Sequence, residues 1–158
     1  MDEAAARWHI DRLWRRGQEL LGVEYAIMGG AMTWVSERNL VAAISNAGGF
    51  GVIACGAMTP ALLENEIAGT RALTDKPFGV NLITMHPDLM ALIDVCGAQG
   101  VSHMVLAGGI PPREAMRRAK RHGAKLICFA PALVVARKLV RDGADGLVIE
   151  GMEAGGHI

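Results

Sequence analysis

From residue 23 onward, short and nearly continuous apolar runs alternate with longer stretches in which apolar positions recur every three or four residues. A strand covered on both faces loses the in-and-out alternation of a half-exposed one and reads as an unbroken apolar run. The pattern therefore predicts six strands, at Tyr25–Met28, Gly51–Ala54, Gly79–Ile83, His103–Leu106, Lys125–Phe129 and Gly146–Ile149. Helical stretches of about ten to fifteen residues between such runs are the mark of repeated βα units, hence of an α/β fold with a parallel sheet.

The helices carry their own punctuation. Thr59 followed by Pro60 reads as an N-cap and first helical position. Pro112 opens a helix that Gly123 can end; it puts Met116 and Ala119 on one face and repeats Arg113, Arg117 and Arg121 on the other, which reads as solvated surface. Gly48-Gly49-Phe50-Gly51 precedes a strand instead of following one and does not match a dinucleotide-binding glycine loop, so it reads as a helix end and turn. Residues 7–21 form a separate amphipathic helix, with Ile10, Leu13, Trp14 and Leu21 on one face and Arg7, Arg12, Arg15 and Arg16 around it. It is expected to cover the lower end of the sheet. The domain reading is thus an N-terminal helix, residues 1–22, followed by the α/β body, residues 23–158.

Charge narrows the partners. Sixteen Lys and Arg balance sixteen Asp and Glu, so no global field favours nucleic acid or an anionic membrane surface, and a small-molecule substrate fits better. Apolar runs are broken well before the roughly 20 residues of a membrane span. Met1-Asp-Glu and the pair Arg15-Arg16 leave no continuous apolar region for a signal peptide. Cys55, Cys96 and Cys128 are odd in number, widely spaced and set in apolar runs, which predicts reduced, buried thiols and a cytoplasmic protein.

In parallel α/β folds the reactive groups gather where strands end. Three such places stand out: Gly29-Gly30-Ala31-Met32-Thr33-Trp34 after the first run, Asn81 in the third, and Glu150-Gly-Met-Glu-Ala-Gly-Gly-His157 after the sixth. Small residues let the backbone approach a flat ligand, and Met32 adds a polarizable side chain. A histidine beside two glycines, just past a buried strand, is placed for proton transfer near neutral pH. His9, His103 and His122 read as structural, while His86 lies on the functional side.

With these loops located, the sequence resembles the nitronate monooxygenase family and the related flavin-dependent enoyl-acyl-carrier-protein reductases. The resemblance spans Leu21 to Ile158 and is carried by Gly30-Ala-Met32, Ser45-Asn-Ala-Gly-Gly-Phe-Gly51, Leu73-Thr-Asp-Lys-Pro-Phe-Gly-Val-Asn81 and Glu150-Gly-Met-Glu-Ala-Gly-Gly-His157. It implies an FMN-dependent (β/α)₈ TIM barrel in which Gly30, Ala31, Met32 and Asn81, with Glu150, Gly155 and Gly156, line the flavin. His157 would act as general base on a nitroalkane, with molecular oxygen as final electron acceptor; the reductases would instead draw electrons from NAD(P)H. Tyr25-Ala-Ile and Gly29 stand where the family often has Tyr-Pro-Ile and Gln, a difference at the flavin-facing loop. A complete barrel has eight strands and about 250 residues, so a 158-residue chain with six strands reads as a truncated barrel. Its unpaired edges predict association with another copy, a homo-oligomer. Loss of function to a mere binding or assembly role is the third reading.

Overall fold

The computed structural model describes residues 2–152, 154 and 155. Helix α1 (Glu3–Leu21) leads into a loop and α2 (Arg38–Asn46); then follow β1 (Gly51–Ala54), α3 (Pro60–Leu73), β2 (Phe78–Ile83), α4 (Leu89–Ala98), β3 (His103–Ala107), α5 (Arg113–Arg121), β4 (Lys125–Phe129), α6 (Leu133–Arg141) and β5 (Gly146–Val148). The strands form one parallel sheet in the order β1-β2-β3-β4-β5. A doubly wound sheet reverses its strand order at a switch point; this one never does.

Strand parity divides the core in two. Ile53, Val80, Leu82, Met104, Leu106, Leu126 and Cys128 pack with Val41 of α2, Leu63 and Ile67 of α3, Leu92 and Ile93 of α4, Met116 of α5 and Leu139 of α6. The helices α2 to α6 therefore all lie on one face. The alternate residues, Val52, Val105 and Ile127, join Phe50 and Leu21 in a second cluster on the opposite face. A sheet in sequential order with its helices all outside is a barrel wall, and its second face is the barrel's interior.

The sequence pattern holds for five strands and fails for the first. Tyr25–Met28 forms a single parallel bridge, Met28 to Phe50, and no strand. The Ile27 amide donates to the Tyr25 carbonyl at 2.7 Å, a local turn that removes the donor a ladder would use, and the neighbouring backbone is the Gly48–Phe50 turn. The helix readings fare better. Thr59 Oγ1 accepts from the Leu62 amide at 3.3 Å, with Pro60 in the first turn. In α5 the buried residues are Ala115, Met116 and Ala119, while Arg113 and Arg121 pair outside with Asp142 and Glu114.

Helix α1 docks by its C-terminal half. Leu20 and Leu21 meet the interior face, but Ile10 and Leu13 stay exposed. The expected apolar face is thus realised in part: Trp14 packs edge-on against Tyr25 and Gly17 lies against Ala26, while Leu13 lines an open groove with Val140 and Leu147. No helix among the described residues is long and apolar enough to cross a membrane.

Candidate active site at the strand C-termini

Because the strands are parallel, the loops after them share one end of the sheet, here termed the upper end. Asn81 lies on the interior face in a row Ala54–Asn81–Val105–Ile127 set by register. It is the polar member of that row. The residue is 8% exposed, and its side-chain amide has no hydrogen-bond partner among the described residues. With no protein partner, this amide is available to a group that reaches the upper end of the sheet. Below Asn81 the interior is filled: Phe50 lies against Gly79, where a Cβ would come within 2.9 Å of its ring, and stacks edge-on against His103 at 4.9 Å.

The first loop, residues 30–37, reaches the same end. Ser36 Oγ donates to the Gly30 carbonyl at 2.9 Å and accepts from the Met32 amide at 2.9 Å. The Ser36 carbonyl accepts from the Ala54 amide at 3.0 Å, which ties the loop to the end of β1, next to Asn81. A Cβ placed on Gly30 would meet nothing within 4 Å. Within this loop Trp34 adopts φ 63, a left-handed conformation unusual for a bulky residue, and is exposed. Glu37 caps α2, accepting from the Asn39 and Leu40 amides. The start of α2 is further clasped by buried Glu66 of α3, which accepts from the Arg38 amide and, at 2.6 Å, from its guanidinium. Burial works to raise the Glu66 pKa, but the Arg38 hydrogen bonds outweigh it and hold the carboxylate below its usual range.

The remaining loops complete the end. Gly108 (φ 81) and Gly109 (φ 130) turn the chain after β3 through conformations that side chains resist. Thr84, just past β2, is 8% exposed, and its Oγ1 is buried without a hydrogen-bond partner. Glu150 and Gly155 follow β5 and are exposed. Gly156 and His157 lie outside the described residues.

The structure thus brings Gly30, Ala31, Met32, Asn81 and Glu150 to one end of the sheet. Sequence reasoning missed Ser36, Glu66 and Thr84. Ser36 had a readable signal, a Ser-Glu pair just before a helix; Glu66 and Thr84 had none, since their partners or lack of them depend on distant segments. Of the histidines read as structural, His103 and His122 hold packing contacts, while His9 is exposed on α1. His103 is buried, with Nε2 on the Leu20 carbonyl at 2.7 Å and Nδ1 on Ser102 at 2.8 Å. His122 closes α5 against Asp94 at 3.2 Å. His86 Nδ1 accepts from the Asp88 amide, a bond within its own loop. All three cysteines are free and buried, and burial pushes the thiols up, Cys55 to about 12 and Cys128 to about 11, which makes them inert.

The residues at this end fit a flat, hydrogen-bonding heterocycle such as a flavin: an amide at Asn81 with no protein partner among the described residues, open space at Gly30, and an exposed, polarizable Met32 in the same loop. Comparison with known proteins agrees with this architecture. Residues 15–158 match the family model described as nitronate monooxygenase. The (3aS,4S,5R,7aS)-5-hydroxy-7a-methyl-1-oxo-octahydro-1H-indene-4-carboxyl-CoA dehydrogenase of Rhodococcus jostii is 37% identical over 88% of this chain and 39% of its own length. A probable nitronate monooxygenase of Staphylococcus aureus is 29% identical over 95% of this chain and 51% of its own. FabK from Thermotoga maritima superimposes with TM-score 0.86 at 41% identity, over 90% of this chain and 46% of that one. Nitroalkane oxidase from Streptomyces ansochromogenes does so with TM-score 0.78 at 27% identity, over 89% and 50%. The chain spans about half the length of these relatives or less, and its five strands are the wall of an incomplete (β/α)₈ barrel. The chain belongs to the nitronate monooxygenase family.

Proposed function

We propose that this chain carries the first half of the active site of an FMN-dependent oxidoreductase that acts on an activated carbon acid bearing an apolar tail, an acyl thioester. The observation that carries the substrate reading is the character of the upper end. Trp34 in the first loop, Met85, Ile110, Ile149 and Met152 in the loops after β2, β3 and β5, and Val134 in the first turn of α6 are all exposed there. The connections themselves, 30–37, 55–59, 84–88, 108–112, 130–132 and 149–155, contain no Lys or Arg. Exposed apolar groups gathered at one end suit an apolar ligand, whereas a small anion would call for a cation nearby. The 41% and 37% identities to FabK and to a carboxyl-CoA dehydrogenase support the same choice.

In this reading the backbone of Gly30 and Ala31, the side chain of Met32 and the Asn81 amide hold the ring from one side. Glu150, Gly155 and Gly156 approach from the last loop, where glycines permit close contact. FMN, when bound, supplies the two-electron exchange that no side chain can. His157 moves the proton: its imidazole gives one to the carbon next to an unsaturated thioester carbonyl, or takes one from that carbon in the reverse direction. The apolar rim excludes water from that transfer.

Oxidation of nitronates or nitroalkanes with molecular oxygen is the second reading, supported by the 29% and 27% identical relatives. There His157 would take the acidic proton of a neutral nitroalkane, and an already ionised nitronate would need no base.

Anaerobic stopped-flow on the protein that carries this chain separates the two. Bleaching of the flavin by NADH or NADPH, reversed by an enoyl thioester, is expected. Bleaching by a nitronate with no response to either nicotinamide would replace the thioester reading with the second one.

A further inference from the structure

Two serines of this protein do the same structural work at opposite ends of the sheet. Ser36 (3% exposed) joins the Gly30 carbonyl to the Met32 amide at the upper end. Ser45 (1% exposed) joins the Pro77 carbonyl, at 3.0 Å, to the Gly51 amide, at 3.3 Å, at the lower end. Each hydroxyl donates once, accepts once and is shielded from water. Only the first sits in the loop that faces the row of Asn81.

The Ser36 hydroxyl occupies two of the backbone groups of Gly30–Met32, and the Met32 carbonyl is taken in turn by the Val35 and Ser36 amides at 3.0 and 2.8 Å. Among the described residues, the Gly30 N–H is left without a hydrogen-bond partner, and so are the N–H and C=O of Ala31. The Ala31 groups are one donor and one acceptor on the same residue, next to the open space at Gly30. Such a pair matches the edge of a ring that carries alternating carbonyl and imide groups. The loop also holds Trp34 in its left-handed conformation, which needs an anchor close by. Ser36, fixed to Ala54 through its own carbonyl, is that anchor.

We propose that Ser36 is a positioning residue for the flavin: it closes the loop internally so that the Ala31 N–H and C=O are the two groups presented to the ring edge. This rests on the FMN reading above, and its test keeps the two apart. In the protein that carries this chain, Ser36→Ala and Ser45→Ala remove the same hydroxyl from matched settings. Binding of FMN and of lumiflavin, the ring without its phosphate chain, is followed by quenching of flavin fluorescence, and folding by thermal melting.

Both variants are expected to melt earlier by similar amounts. Ser36→Ala should weaken FMN and lumiflavin by the same factor, about tenfold for a misplaced donor–acceptor pair, and should blur the vibronic shoulders of the bound-flavin absorption band. Ser45→Ala should keep both affinities within about twofold. Equal flavin affinity in the two variants, whether both normal or both reduced, overturns the role of Ser36 while leaving FMN binding in place. A wild-type protein that takes up neither flavin overturns the FMN reading and this one with it.

Discussion

At the lower end of the sheet polar groups are paired, and at the upper end several of them wait. Below, the last carbonyls of α1 are capped twice: Leu20 accepts from His103 at 2.7 Å and from Lys125 at 2.7 Å. Asp145 accepts from Lys120 at 2.8 Å and from the Leu126 amide at 2.6 Å. Above, Thr84 Oγ1 is buried without a partner, the Asn81 side-chain amide has none among the described residues, a tryptophan sits at φ 63, and large apolar side chains face solvent. Barrels build stability at one end and chemistry at the other, and the contrast here is a division of that kind. The polar groups unsatisfied above are the ones a ligand can satisfy.

The largest expected effect breaks this comparison most directly, through two glycines. A Cβ at Gly51, near the lower end, would collide with the Val41 carbonyl oxygen of α2, whereas one at Gly30 meets open space. Gly51→Ala should therefore destabilise by about 3 kcal/mol in urea unfolding, because backbone must move. Gly30→Ala should change stability by less than about 0.5 kcal/mol while lowering flavin affinity. Equal stability losses at both positions would end the division of labour.

His103 gives the next effect, with a pH signature. Burial holds its pKa below the ordinary 6.5, opposed by its bond to the Leu20 carbonyl. The folded protein thus takes up a proton less readily than the unfolded chain. The contribution is fully present above pH 6.5 and is lost as pH falls below that value through the lower folded pKa. Thermal midpoints should drop between pH 7 and the carboxylate range. His103→Leu should cost about 2 kcal/mol at pH 7 by removing the buried hydrogen bonds, and should flatten that segment of the profile. A wild-type midpoint unchanged from pH 7 to 5 would contradict it.

Thr84 gives the smallest effect and sharpens the comparison. Its hydroxyl gains nothing in the structure as described, so Thr84→Val should leave stability unchanged or raise it by up to about 1 kcal/mol. A clear loss on chemical denaturation would mean that Oγ1 has a partner in the protein and is not kept for a ligand.

Much of this architecture is legible in the chain. β1 to β4 stand out because strands buried on both faces must be apolar throughout, β5 is apolar although Leu147 is exposed, and α5 shows its inward face because Met116 and Ala119 fall on one side of a helix otherwise full of arginine. The Tyr25–Met28 run misled because apolar content does not reveal where its amides bond; the Ile27 amide turns back on Tyr25 while its carbonyl accepts from the Phe50 amide, so the contact stays a single bridge. Helix α1 misled in a similar way, since periodicity marks a face able to be buried and says nothing of how far the sheet extends beneath it.

The residue types that could do chemistry, and the end of the sheet on which they fall, follow from local order: glycine loops, Asn81 and Glu150 each lie in or after an apolar run, and parallel strands put all such places together. What local order leaves open is which polar groups are already satisfied. Ser36 bridging Gly30 and Met32, Glu66 clasping Arg38 across two helices, and the unpaired states of Asn81 and Thr84 arise from segments brought together by packing. A hydrogen bond depends on position to within a few tenths of an ångström, a precision that periodicity and composition do not carry and that the packed fold supplies.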